Sequence, residues 1–263
     1  MRVTKVMTLA SLLFCLLAFN QPAAAQGGVA WIPQFVDGFD GQSVWQTTLL
    51  VDRPVFTTTQ GIVRVFDPRG TFLHQFGFGF GFGFGSFLGF NVFGQPIFAG
   101  PFTPLRFFNF RELLGRPLRT GFLLIETPGT VNIVALIRRF SISGTLMSEF
   151  RISPLDPFHR ARLLSEEFEA RLLAFALINT DRFRATFGRF EFFPLGSLDP
   201  IFSFPFEIAP HGQFARFLSE MFPEVAASGL RGTIRITSDQ ALSALVLEIN
   251  GDQIRQVELV IEN

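Results

Sequence analysis

Three histidines, His74, His159 and His211, are the residues of this chain best suited to acid–base or metal chemistry near neutral pH. None has a metal-ligating partner two to four positions further on, the spacing that would seat an ion, so each is expected at a loop or strand edge. The segment Asp37-Gly38-Phe39-Asp40-Gly41 sets two carboxylates beside glycines. It lacks the alternating oxygen ligands of a calcium loop and reads as a tight turn. Glu166, Glu167 and Glu169 could supply a general acid and base, yet they fall in a charged turn where solvation is the expected role. No Gly-x-Ser-x-Gly elbow, phosphate loop or dinucleotide fingerprint is present. The sequence therefore names no catalytic residue, no metal ligand and no cofactor, and predicts a protein that is not an enzyme.

Binding chemistry is better represented. The 263 residues include 37 Phe, two Trp and no Tyr, a large apolar area with almost no aromatic hydrogen-bond donor. Trp31 and Trp45 would be the platforms for stacking a sugar, but both sit in apolar strand patterns that predict core packing. The candidate contact segment is the Phe-Gly alternation of residues 76–85. In an extended chain Phe76, Phe78, Phe80, Phe82 and Phe84 project to one face while the glycines leave the other bare. Such a face suits self-association or an apolar surface; a neutral expansion in a tolerant hairpin is the alternative. With 22 basic and 22 acidic residues, the balance argues against a nucleic-acid partner held by phosphate contacts.

The elements that carry these residues read as strands. In residues 233–237 two Ile face one side and Thr, Arg and Thr the other. Apolar runs at 45–51, 62–66, 122–127, 133–140, 172–178 and 244–249 have strand length and are bounded by Gly, Pro, Asp or Asn. One helix is predicted over 213–222, from Phe214, Phe217, Leu218 and Met221 at helical spacing and a stop at Pro223.

Self-comparison of the chain reveals a repeat. Residues 49–54 lie over 176–181 at an offset of 127, which also superposes Gly61 on Gly188. Residues 121–127 lie over 232–238 at an offset of 111. The first half thus holds an insert between Phe66 and Gly121, assigned to the Phe/Gly-rich stretch of about 76–102. The fold expected is all-β, with two tandem antiparallel immunoglobulin-like β-sandwich domains at 26–152 and 153–263. The successions at 45–54, 63–70, 213–223, 230–234 and 238–244 resemble a group of uncharacterised exported bacterial proteins with tandem β-sandwich repeats. That resemblance implies architecture and brings no site residue.

Residues 1–25 read as a signal peptide: Arg2 and Lys5, an apolar core over 6–19 and a small-residue site at Ala23-Ala24-Ala25. The apolar core is too short for an anchor, so no transmembrane span is expected after cleavage. Its removal takes away the only cysteine, Cys15, leaving a chain without disulfides. The function expected is that of an exported extracellular, cell-surface or periplasmic protein acting through structural or adhesive contacts. A secreted module binding polysaccharide or a surface partner is the alternative.

Overall fold

The computed structural model describes residues 28–52, 59–80, 86–90, 96–99, 105–106, 110–128, 132–165, 172–228, 230–251 and 253–262. Residues 1–25, read above as a signal peptide, and residues 82, 84, 166, 167 and 169 lie outside them. The first half contributes β1 (Gly28–Phe39), β2 (Ser43–Asp52), β3 (Thr59–Phe66), β4 (Phe72–Phe80), β5 (Ser86–Phe90), β6 (Pro96–Ala99) and β7 (Leu105–Arg106). The short helix α1 (Phe110–Leu114) follows, then β8 (Arg119–Thr127), β9 (Asn132–Ser141) and β10 (Leu146–Ile152). The second half contributes β11 (Phe158–Ser165), β12 (Leu172–Asn179), β13 (Thr186–Pro194), β14 (Phe202–Ile208) and β15 (Gln213–Phe217). It closes with α2 (Leu218–Met221), α3 (Pro223–Ser228), β16 (Gly232–Asn250), β17 (Gln253–Val257) and β18 (Val260–Ile261). Among the described residues no helix is long and apolar enough to cross a membrane.

The protein is all-β, with two eight-stranded antiparallel sheets in an arrangement consistent with β-sandwich packing. In the first, the order is β10-β9-β2-β1-β8-β3-β4, with β7 on β2. In the second, one end of β16 lies between β11 and β13, with β14 beyond β13; its other end lies between β12 and β17, with β15 on β12. The series β1-β8-β3-β4 and β7-β2-β9-β10 therefore have the same pairing succession as β11-β16-β13-β14 and β15-β12-β16-β17. The single strand β16 takes both the place of β8 and that of β9.

Glycines mark matching close approaches. A Cβ on Gly61 would lie 2.4 Å from the ring of Phe78, and one on Gly188 2.4 Å from the ring of Phe206. Each Phe is the cross-strand partner of its glycine, on β4 and β14. Each ring fills the space a side chain would need.

Burial explains why several strands read as continuous apolar runs. Phe122, Leu123, Leu124 and Ile125 of β8 are all buried. Leu123 and Ile125 enter the first core, whereas Phe122 and Leu124 pack on the opposite face with Trp31, Phe66 and Ile178 of β12. A strand covered on both faces needs no polar alternate. The halves are joined in the same way from the other side: Ala176 and Leu245 belong to the first core, while Leu177 and Val246 belong to the second.

Two expectations need correction. Residues 213–217 form a strand, with Ala215 opposite Ala176, and the helix is confined to Leu218–Met221. Pairing with β12 overrides the helical spacing. Residues 76–80, assigned above to the insert, instead continue β4, paired to β3 from Thr59 opposite Phe80 to Phe66 opposite Phe72. The extra residues of the first half fall after β4, in the connection 81–104, where β5 and β6 form a separate two-stranded sheet. The corresponding β14–β15 connection is only 209–212.

Candidate functional site

The structure divides the predicted Phe segment. Phe78 is buried in the first core and Phe76 packs against it half-buried, because the even-numbered face of β4 is its inward face. Phe80 is the last residue of β4, and Phe82 and Phe84 lie outside the described residues. The histidines are not brought together: His74 is on β4, exposed His159 on β11 and His211 in the β14–β15 turn. Among the described residues no group of three His, Cys, Asp or Glu side chains could hold a metal.

The concave feature that the sequence did not foreshadow is a cleft of about 510 Å³ where the halves meet. Val36 of β1, Trp45 of β2 and Phe150 of β10 form one wall. Opposite them runs a row across three strands: Ala215 on β15, its partner Ala176 on β12, and Leu245 on β16. The row is low because two of its three members are alanine. Larger side chains there would fill the space between the halves; as it stands, the volume lies in the range of small-molecule sites.

The mouth is fixed by hydrogen bonds. Asp40 accepts the backbone N–H groups of Gln42 and Ser43 at 2.8 and 2.7 Å through Oδ1, and the Trp45 indole N–H at 2.8 Å through Oδ2. Partial burial works against its charge, but these donors and the Arg139 guanidinium hold the carboxyl below the usual carboxylate range. Arg139 lies 5.6 Å from the Trp45 ring centroid, so the indole is held at its edge and on its face. Glu220, the other carboxylate on the wall, accepts the Phe217 N–H at 2.7 Å. Both acids are engaged in holding local structure.

Asp37 lies nearby on β1, behind the lining. Burial pushes its carboxyl up to about 8, against the lowering effect of the Thr47 N–H that it accepts at 2.6 Å. Burial thus favours its protonated form, and Asp37 is not among the residues that line the cleft. A second, polar groove of about 580 Å³ between β10 and β17 holds Glu149 and Glu248, already paired at 2.6 Å with Arg138 and Arg255.

The cleft is lined mainly by apolar side chains that can exclude water from an apolar molecule, and its two carboxylates are engaged in local hydrogen bonds. The sequence carries one trace of it, legible only beside the structure: β12 reads Leu-Leu-Ala-Phe-Ala-Leu-Ile, apolar on both faces but with small residues on one. No protein-family model, curated protein or solved structure matches the chain.

Proposed function

We propose that this is an exported, non-enzymatic binding protein of two tandem immunoglobulin-like sandwich domains, and that it takes an apolar small molecule or alkyl chain in the cleft between them. The observation that carries this reading is the alanine-floored cleft itself, walled by both halves and lined by an indole that Asp40 holds in place. The recurring pairing succession supports the tandem reading, and the leader pattern of residues 1–25 supports export. A polysaccharide is the poorer occupant, since sugar recognition combines stacking with several hydrogen bonds and the wall is mainly aliphatic and aromatic, with Gln34, Asp40, Arg216 and Glu220 its polar members. The Phe76–Phe80 face is set aside as an adhesive surface because Phe76 and Phe78 turn inward.

The test uses N-phenyl naphthylamine, an uncharged apolar fluorophore, with Trp45 as the energy-transfer donor. Binding should quench Trp45 and be lost in Ala215→Trp, which raises the floor at an exposed strand position while the unfolding midpoint stays close to that of the parent. Undiminished binding by Ala215→Trp would overturn the assignment, as would energy transfer equal in the parent and in Trp45→Phe, where Trp31 is the remaining donor.

A further inference from the structure

His211 occupies a socket that its own half does not build. Its ring packs edge-on against Trp31 of β1, Phe66 of β3 and Phe122 of β8, with ring centroids 5.3, 4.4 and 5.7 Å away. All three rings belong to the first half. The turn that delivers it is demanding: His211 has φ of 58°, the only positive φ of a non-glycine residue among the described residues. Its N–H donates to the Asp181 carbonyl at 2.9 Å.

The opposing β3–β4 turn is shaped to receive it. Gly70 has φ of +81°, and a Cβ there would stand 2.3 Å from the His211 carbonyl oxygen. The Gln213 N–H donates to the Pro68 carbonyl at 2.9 Å. The Gln213 side-chain amide reaches the Pro33 carbonyl at 2.5 Å and Gln34 Oε1 at 3.0 Å, where a register shift interrupts the β1–β8 ladder. The two turns thus interlock at one end of the junction between the halves, and Gln34 is itself part of the cleft wall.

Among the described residues the socket has no unengaged counter-charge for an imidazolium. His211 Nε2 is buried without a hydrogen-bond partner. The cations nearest in effect are Arg64 of β3 and Arg182 of the β12–β13 loop, both paired with Glu126 of β8, so that carboxylate is already engaged. Asp181 is occupied by the N–H groups of Phe183 and Arg184 and by the Arg184 side chain. Asp67 of the β3–β4 turn accepts from Arg69 and Thr71. Trp31, the contact from β1, brings no charge.

We infer that His211 is an acid-released latch: neutral, it pins the β14–β15 turn into the aromatic socket of the first half, and protonation frees that end of the junction and widens the cleft. The widening rests on the binding role proposed for the cleft; the latch does not. Burial first, then the charges of Arg182 and Arg64, hold the imidazole below its ordinary value of 6.5. The docked state therefore binds fewer protons than the released one. Its stabilisation is complete above the ordinary histidine value and is lost as pH falls below it, towards the depressed one.

The experiment follows amide exchange in the full chain at about pH 7.5 and about pH 5, either side of the ordinary histidine range. Protection of the His211 and Gln213 amides should fall on acidification, by up to about tenfold for each unit of depression. His211→Phe keeps a ring and cannot titrate; it should retain protection at the lower pH, with His74 and His159 unchanged in both proteins. Gly70→Ala should release the turn at either pH. Since His211→Phe could strain a left-handed position, the His211 imidazole of the parent is also titrated by NMR. A value at or above that of a free histidine overturns the latch, as does equal loss of protection in parent and His211→Phe. Fluorophore affinity at both pH values is read separately. Intact pH-dependent protection without fluorophore binding would refute the cleft reading and leave the latch standing.

Discussion

Asp37 is a buried acid whose proton the folded chain retains and the unfolded chain releases. Between the ordinary carboxyl value of 3.8 and about 8, folding holds on to a proton that the solvent increasingly withdraws, so stability falls as pH rises through that interval. Asp37→Asn keeps an oxygen to accept from Thr47 and removes the titration. Its urea midpoint should exceed that of the parent at pH 8 and converge with it towards pH 4; a gap that does not change with pH would show that Asp37 is not held protonated. Nothing in the sequence around Asp37 announced this. The turn itself was legible, because Asp40 caps it through Gln42 and Ser43, but the burial of Asp37 depends on β2 lying across it.

At the scale of the element, β4 is where composition misleads and register corrects. Glycine at every second position suggests a strand with nothing to pack, yet Gly77 lies on the outer face and Phe76 and Phe78 on the inner one. Phe78→Ala should therefore cost about 3–5 kcal/mol, as for a core aromatic. Denaturant unfolding reads it directly, and a loss near zero would show that Phe78 is not part of the core. The apolar runs of β2, β3, β8, β9, β12 and β16 were readable because burial on one or both faces leaves a pattern in one dimension. The helical reading of 213–217 failed for the converse reason. Phe214 and Phe217 satisfy helical spacing, but β12 offers this segment a backbone partner that only the folded chain provides. The cleft was hidden for the same reason, since Trp45 and Ala215 meet only through two different strands.

For the whole molecule, the two halves share apolar surface that neither can cover alone. Ile178 packs with Trp31, Phe66 and Phe122, and Leu245 of β16 is counted in the first core. Calorimetry should give one cooperative transition, and Leu245→Ala should lower its midpoint as a unit at a cost of about 2–5 kcal/mol. Two resolved transitions, with one unmoved by the substitution, would show that the halves fold independently.

The continuity of β16 also sets a timetable for synthesis. This one strand is the partner of β11, β12, β13 and β17, and it begins only at Gly232. As the chain emerges from the ribosome, β1 to β10 can complete the first sheet while β11, β12 and β13 wait without their common neighbour. The second core cannot close until the final segment appears. A nascent chain stalled just short of Gly232 would be most of a protein by length and, in its second half, a set of apolar strands still open to any other partner.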